Sequence, residues 1–275
     1  MKKILTLILT VVVALGACVG LTACGKQKYA NVRPNVISVG YTDYAPMNYK
    51  DDKGVLIGFD TELALMVFNA LGYEVNFKPI DWGQKYTELN GKNIDCIWNG
   101  FTANSVDSDD GVARSEKVDF SMYYMQNAQC IVKKATTANV ASWADLAGKA
   151  IAYEAGSAAD SLVSSELENV QVSKKDVASQ MDAIREVNMG TADYAVVDVL
   201  LAEQICGKGD YVNLNQNEGI EIGIEYYAIG FRKGSELTEK VNVMLKAFME
   251  TGQLKALAEK YGLENSLILL PSSAE

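Results

Sequence analysis

The chain has 275 residues, 35 acidic and 25 basic side chains, a formal net charge of -10 and no histidine. Such a length holds one large or two modest globular units, and the acidic balance argues against nucleic acid or an anionic membrane surface as partner. The missing histidine removes Ser-His-Asp and Cys-His catalysis, His-ligated zinc and a His general base, leaving carboxylate, Lys or Tyr chemistry as the routes to an enzyme.

Met1-Lys2-Lys3 and the apolar run 4–15 have the charged and apolar regions of a secretory signal. Leu21-Thr22-Ala23-Cys24 then matches a lipobox, in which the cysteine is diacylated and becomes the mature N-terminus. A second match, Leu15-Gly16-Ala17-Cys18, lies nearby, but polar Gly25-Lys26-Gln27-Lys28 follows Cys24, which is therefore the expected lipidation site; an ordinary cleaved signal is the alternative. Residues 1–23 are expected to be a lipoprotein signal peptide and 24–35 a lipid-anchored polar linker, two acyl chains sufficing for stable anchoring. Cys96, Cys130 and Cys206 remain, an odd number that leaves at least one thiol unpaired. They read as small hydrophobes, and their spacing suggests no metal site.

In chain order, residues 36–41 read as a short apolar strand that empties into a loop carrying Asp43, Tyr44 and Tyr49. Lys50-Asp51-Asp52-Lys53-Gly54 is a turn signal. Asp60 is placed to cap a helix through Leu63, Met66, Val67 and Ala70, stopped by Gly72. Residues 73–80 alternate like a half-buried strand, and Asp81 caps a helix to about Leu89. Residues 94–98 form the next strand, ending in Asn99-Gly100-Phe101-Thr102. This alternation of strand and helix indicates an α/β sheet.

Further on, 142–149 reads as a short helix and turn, 151–154 as a strand, and Ala155-Gly156-Ser157-Ala158 as the lead into a helix. Asp176 is expected to cap a helix through Met181, Ile184 and Met189, closed by Gly190. Residues 191–198 form a strand ending on Asp198, followed by a helix over 199–205 and a short strand at 211–215. Helices over 236–251 and 253–261 end the folded body.

The order strand, Asp43, Tyr44-Ala45-Pro46, turn, Gly58-Phe59-Asp60, helix resembles the N-terminal signature of the bacterial extracytoplasmic solute-binding proteins, family 3, that serve polar amino-acid ABC importers. Asn99-Gly100-Phe101-Thr102, Lys117-Val118-Asp119-Phe120-Ser121, the strand ending at Asp198 and the helix 253–262 extend the resemblance over the whole mature chain. It implies a type II periplasmic-binding-protein-like α/β fold: two lobes joined by two hinge crossings, near 124–128 and 222–227. Lobe 1 would comprise 36–125 and 226–265, and lobe 2 would comprise 126–225.

The resemblance also implies a ligand set. Gly100 and Thr102 would contact an α-amino acid, and an Arg would form a two-point pair with its carboxylate. Asn104 replaces the expected hydroxyl residue, and an acidic insertion, 105–111, displaces the Arg to position 114. Two readings stand for Arg114: the carboxylate clamp, or a surface residue compensating Asp107, Asp109 and Asp110. Ser157 and the helix amides behind it would take the other side of the carboxylate, or Ser157 serves as a plain N-cap. Asp198 would receive the α-ammonium, since a buried ammonium needs a counter-charge, or it only caps the following helix.

Asp43, Tyr44, Trp82, Trp98 and Glu154 fall at or near the family's side-chain pocket. Tyr44 would stack on the ligand. Two carboxylates, Asp43 and Glu154, facing one pocket would favour a basic amino acid or cystine; otherwise Asp43 caps its turn and Glu154 faces solvent. The expected protein is a monomeric receptor held to the membrane by its lipid, without catalytic role, cofactor or metal, that closes on one amino acid and delivers it to an ABC permease complex. A sensory ectodomain and a dehydratase on the same fold are the alternatives.

Overall fold

The computed structural model describes residues 36–271; the expected signal peptide 1–23, Cys24 and the expected linker 24–35 lie outside the described residues. β1 (Val36–Tyr41) buries Ile37 and Val39 and leaves Val36 exposed, as an alternating strand does. Its loop leads to a small hairpin, β2 (Tyr49–Lys50) and β3 (Leu56–Ile57), and then to α1 (Phe59–Ala70). Gly58 is obligatory at this junction: its φ is 126°, and a Cβ there would stand 2.2 Å from the Met47 carbonyl oxygen. The helix buries Leu63, Ala64, Val67 and Phe68; of the face expected from the spacing, Leu63 and Val67 are buried, Met66 is half-buried and Ala70 is exposed.

Asp60 does not cap this helix. It lies inside the first turn, where Gly100 and Tyr124 draw its carboxylate into the core. The chain continues through β4 (Glu74–Pro79), a 3₁₀ turn over Trp82–Gln84 capped by Asp81, α2 (Lys85–Asn90), β5 (Cys96–Ile97), α3 (Arg114–Lys117) and β6 (Asp119–Phe120).

β7 (Tyr123–Lys134) is a single strand of 12 residues that leaves the first lobe and enters the second. β8 (Ala150–Glu154), α4 (Ala158–Glu166), β9 (Ser173–Val177), α5 (Gln180–Met189), β10 (Tyr194–Asp198), α6 (Val199–Ile205) and β11 (Leu214–Gln216) build the second lobe. Two expectations fail here. Asp176 lies on β9, a strand that its Ser-Lys-Lys-Asp-Val sequence disguises, and Ser179 caps α5 by accepting from the Asp182 amide. The strand expected at 211–215 starts only at Leu214, after a 3₁₀ turn at Gly209–Tyr211.

β12 (Ile224–Tyr227) returns beside β7, β13 (Gly230–Phe231) re-enters the first lobe, and α7 (Leu237–Glu250) and α8 (Gln253–Tyr261) pack on it. A last strand, β14 (Leu267–Leu270), has no counterpart in the sequence reading; it pairs with the start of β7, Leu267 opposite Met125 and Leu270 opposite Tyr123. No helix among the described residues is long and apolar enough to cross a membrane.

Among the described residues the first sheet has the order β4-β1-β5-β13-β6, and the second β11-β7-β10-β8-β9 with β12 and β14 added along β7. In the first sheet β1 is parallel to β4 and β5; in the second β8 is parallel to β9 and β10. Parallel strands place their carboxyl ends on one side, where α/β sheets bind ligands. The two crossings are paired with each other, Glu225 opposite Asn127 and Tyr227 opposite Met125.

Asn99 locks the end of β5 to the end of β1. Its Oδ1 accepts from the Thr42 amide (2.9 Å) and hydroxyl (2.7 Å), and its Nδ2 donates to the Thr42 carbonyl (3.0 Å) and Asn48 Oδ1 (2.7 Å). Asn99→Ala orphans these buried groups, and the expected loss of stability is about 2–4 kcal/mol. Denaturant unfolding checks this: the midpoint falls while the slope stays constant.

Candidate functional site

Between the lobes, one narrow cavity is lined by Trp82, Gly100, Thr102, Arg114, Glu154, Ser157 and Asp198 of the expected set. Asn99, Gln129, Ala158 and Gln180 complete the lining. Each arrives from the end of a strand or the start of a helix: Gly100 and Thr102 follow β5, Glu154 ends β8, Ser157 caps α4, and Asp198 ends β10.

Three expected side-chain contacts stand elsewhere. Asp43 is exposed and absent from the lining. Trp98 is fully buried in the core, edge-on to Phe68 with centroids 5.8 Å apart. Tyr44 is buried beneath Gly100, its hydroxyl 2.7 Å from that of Tyr227. This contact fixes the backbone above it: at Gly100, φ is 57°, and a Cβ would come within 2.5 Å of the Tyr44 ring.

The acidic insertion is an ordered loop that returns the chain to the cleft. Asp107 accepts from Arg114 Nε (2.9 Å) and Lys117 Nζ (2.8 Å), and the Asp107 amide donates to the Val112 carbonyl (3.0 Å). Arg114 is thereby buried to 1% exposure, which removes the surface-residue reading, although the pairing with Asp107 is real. Its Nη1 donates to the Thr102 carbonyl (3.1 Å), its Nη2 reaches the Gly156 carbonyl of the other lobe (3.4 Å), and its guanidinium lies 5.3 Å from the Phe101 ring centroid. Asn104, where a hydroxyl was expected, instead ties the loop to β12: it donates to the Ile224 carbonyl (3.1 Å) and accepts from the Tyr226 amide (2.9 Å).

Asp198 is buried without a basic partner. Asn127 Nδ2 (2.9 Å), Gln129 Nε2 and Gln180 Nε2 (2.6 Å) donate to its carboxylate. Burial raises its pKa, and the amide donors only oppose that rise. Its side chain makes no helix-capping hydrogen bond, so capping does not explain it. Ser157 does cap α4, accepting from the Asp160 amide at 3.2 Å, while also lining the cavity.

Glu154 is buried and its Oε1 has no hydrogen-bond partner; burial, then the Asp198 charge, pushes its pKa well above the usual carboxylate range. Lys85, missed by sequence reading, donates to the Gly156 carbonyl (2.7 Å) across the cleft. Burial, with Arg114 nearby, lowers its pKa to about 7. Glu225 on β12 also went unforeseen, and its pKa is raised to about 7 by burial and by Asp198. A signal was present for the amide donors: Asn127 and Gln129 are polar residues two apart in a strand, hence on one face, and both are buried.

The two-lobed fold and an interlobe cleft lined at its strand ends define a solute-binding protein. A family model of the bacterial extracellular solute-binding proteins, family 3, matches residues 37–264, and the chain belongs to that family. The arginine-binding extracellular protein ArtP of Bacillus subtilis (strain 168) is 29% identical, the match covering 95% of this chain and 98% of ArtP. The L-cystine-binding protein TcyA of the same strain is 29% identical, covering 95% and 97%. Among solved structures, an ancestral arginine-binding protein bound to arginine superposes with a TM-score of 0.76 at 29% identity, covering 84% of this chain and 99% of that one.

Asp107 has a pKa below the usual range: burial opposes ionisation, but Arg114 and Lys117 outweigh it. Its stabilising effect is therefore present above the ordinary Asp pKa and lost as pH falls through the lowered one. Asp107→Asn is expected to lower the melting temperature at pH 7, with the difference from the parent protein shrinking as pH falls below the ordinary Asp range; thermal melts from neutral into acid pH read it out.

Proposed function

We propose that the protein is the extracytoplasmic binding component of an amino-acid ABC importer whose cleft closes on one α-amino acid with a cationic side chain. Glu154 carries the side-chain assignment: a buried carboxyl with an unpartnered oxygen lines the same cavity as Asp198. A buried carboxyl without a partner is costly, and an ammonium or guanidinium group restores the missing hydrogen bond and charge. Lys85 and Arg114 favour the Glu154 charge through space without offsetting its burial, and no hydrogen bond joins either to Glu154: Arg114 pairs with Asp107 and Lys85 with the Gly156 carbonyl. Arginine for ArtP and cystine for TcyA fit a ligand carrying a second cationic group.

In this reading Asp198 and Thr102 receive the α-ammonium, Arg114 and the Ser157 helix end take the carboxylate, Trp82 covers the chain, and Glu154 meets the distal cation. The two lobes, 36–125 with 226–265 and 126–225, swing about the paired crossings. Lys85 and Arg114 then meet the Gly156 carbonyl, and the Ser161 hydroxyl meets the Val106 carbonyl (2.7 Å), as contacts of the closed form. Closure presents both lobes to a membrane permease complex. The polar residues after Cys24 support that cysteine as a lipid anchor holding a monomeric receptor at the extracytoplasmic face.

Calorimetric titration of the folded body, freed of carried-over ligand, tests the assignment. Arginine or another cationic amino acid is expected to bind one-to-one, with loss on Asp198→Asn. Glu154→Gln should weaken a cationic ligand about a hundredfold while leaving glutamine nearly unchanged. An equal effect on both ligands would refute the side-chain assignment. Because the cation pairs with ionised Glu154, whose pKa is raised in the empty cleft, affinity for arginine should rise from pH 5 to pH 8.

A further inference from the structure

Glu225 lies on a crossing strand, behind the cavity wall. Its Oε2 accepts from the Thr102 hydroxyl (3.1 Å), from Asn127 Nδ2 (3.1 Å) and from Gln129 Nε2 (3.0 Å). The same two amide groups donate to Asp198 Oδ1. Strand register produces the arrangement, with Asp198 opposite Gln129 on β10 and Glu225 opposite Asn127 on β12. The two acids thus share both donors.

A hydroxyl has one proton to give and two lone pairs to offer. An ionised Glu225 can only accept, so the Thr102 proton is committed to it, and Thr102 presents lone pairs alone to the cleft. Gln129 reinforces this polarity, because both its donor contacts face the two acids while its buried Oε1 has no partner. An acceptor-only hydroxyl, an unpartnered amide oxygen and Asp198 suit a group with several N–H donors.

We propose that Glu225 is a positioning residue of the ligand site: by taking the Thr102 proton and sharing the Asn127 and Gln129 amides with Asp198, it makes this end of the cleft an acceptor-only subsite for an ammonium group. The inference rests on the reading of the cleft as an amino-acid site, but not on the nature of the side chain, since every α-amino acid carries the ammonium. Protonated Glu225 could instead donate to Thr102 and turn the hydroxyl proton toward the ligand. Subsite polarity therefore follows the charge on Glu225. The charged or titratable groups acting on it are Asp198 on β10 and Arg114 on α3; Tyr44 and Tyr227 stand against Asp198, and Glu154 faces Asp198 from β8.

The test is calorimetry on the parent protein and Glu225→Gln with L-arginine and L-glutamine at pH 8 and pH 5. At pH 8 Glu225→Gln should weaken both ligands by roughly tenfold to a hundredfold. At pH 5 that ratio should shrink toward one, because the parent side chain is then itself protonated in the empty cleft. A ratio independent of pH marks a merely structural contact and overturns the proposal, as does an unchanged affinity at pH 8. Loss of arginine preference with glutamine still bound refutes the cationic-side-chain assignment and leaves this test intact.

If neither ligand binds the parent protein, the amino-acid reading fails and melting of the ligand-free proteins decides. A folded pKa above the unfolded one adds stability below the unfolded value, lost as pH rises through about 7. The parent melting temperature should therefore fall more between pH 5 and pH 8 than that of Glu225→Gln. Equal slopes overturn the proposal.

Discussion

A carboxylate cannot be taken out of water without something to replace its hydration, and Asp198 meets this demand with carboxamides. Three amide side chains donate to it, but amides bring no net charge, so the negative charge remains inside the protein. Around it stand Glu154 and Glu225, both with pKa values raised by burial first and by the Asp198 charge second. The Asp198 carboxylate is thus well supplied with hydrogen bonds, yet this end of the cleft holds three acids and leaves Glu154 Oε1 and Gln129 Oε1 without a partner. That combination gives this end of the site a reason to accept a cationic group, while Arg114 and Ser157 stand at the other.

The fold supplies this arrangement economically. β10 delivers Asp198, β7 delivers Asn127 and Gln129, and β12 delivers Glu225, all by register in one sheet; the start of α5 adds Gln180, and β8 brings Glu154 to the same strand-end surface. The opposing lobe contributes a more elaborate device. Asp60 holds the Gly100 amide at 2.7 Å from beneath, Tyr44 prevents any side chain at that position, and Asp107 holds Arg114 from the side. Each contact fixes the direction in which a backbone or side-chain group faces the cleft.

Much of this was legible in the sequence because strand ends are marked by abrupt changes from apolar to polar residues, as at Asn99 and Asp198. The helices whose apolar positions recur at helical spacing, α1, α7 and α8, were legible for the same reason. What escaped depends on contacts between distant segments. Asp60 looks like a cap until Gly100 and Tyr124, 40 and 64 residues away, are seen to take its carboxylate. The insertion at 105–111 looks like a break in the ligand segment, yet its turn returns Asp107 to Arg114. β9 carries two lysines and an acid in five residues, so its parallel pairing with β8 had no alternation to announce it. Asp43 failed for the opposite reason: a loop residue beside a site need not face it.

β7 passes from one lobe to the other without interruption, and β12 and β14 are laced along the same stretch. Backbone hydrogen bonds between these strands tie their paths together, so one strand of the crossing cannot turn without its partners turning with it. The lobes are consequently coupled as by a torsion bar rather than by a loose cord, which narrows their relative travel to few paths. Through β14 that coupling also reaches residues far along the chain: Leu267 and Leu270 are bonded to the stretch of β7 from which the crossing departs, so a change there is a change at the joint between the lobes.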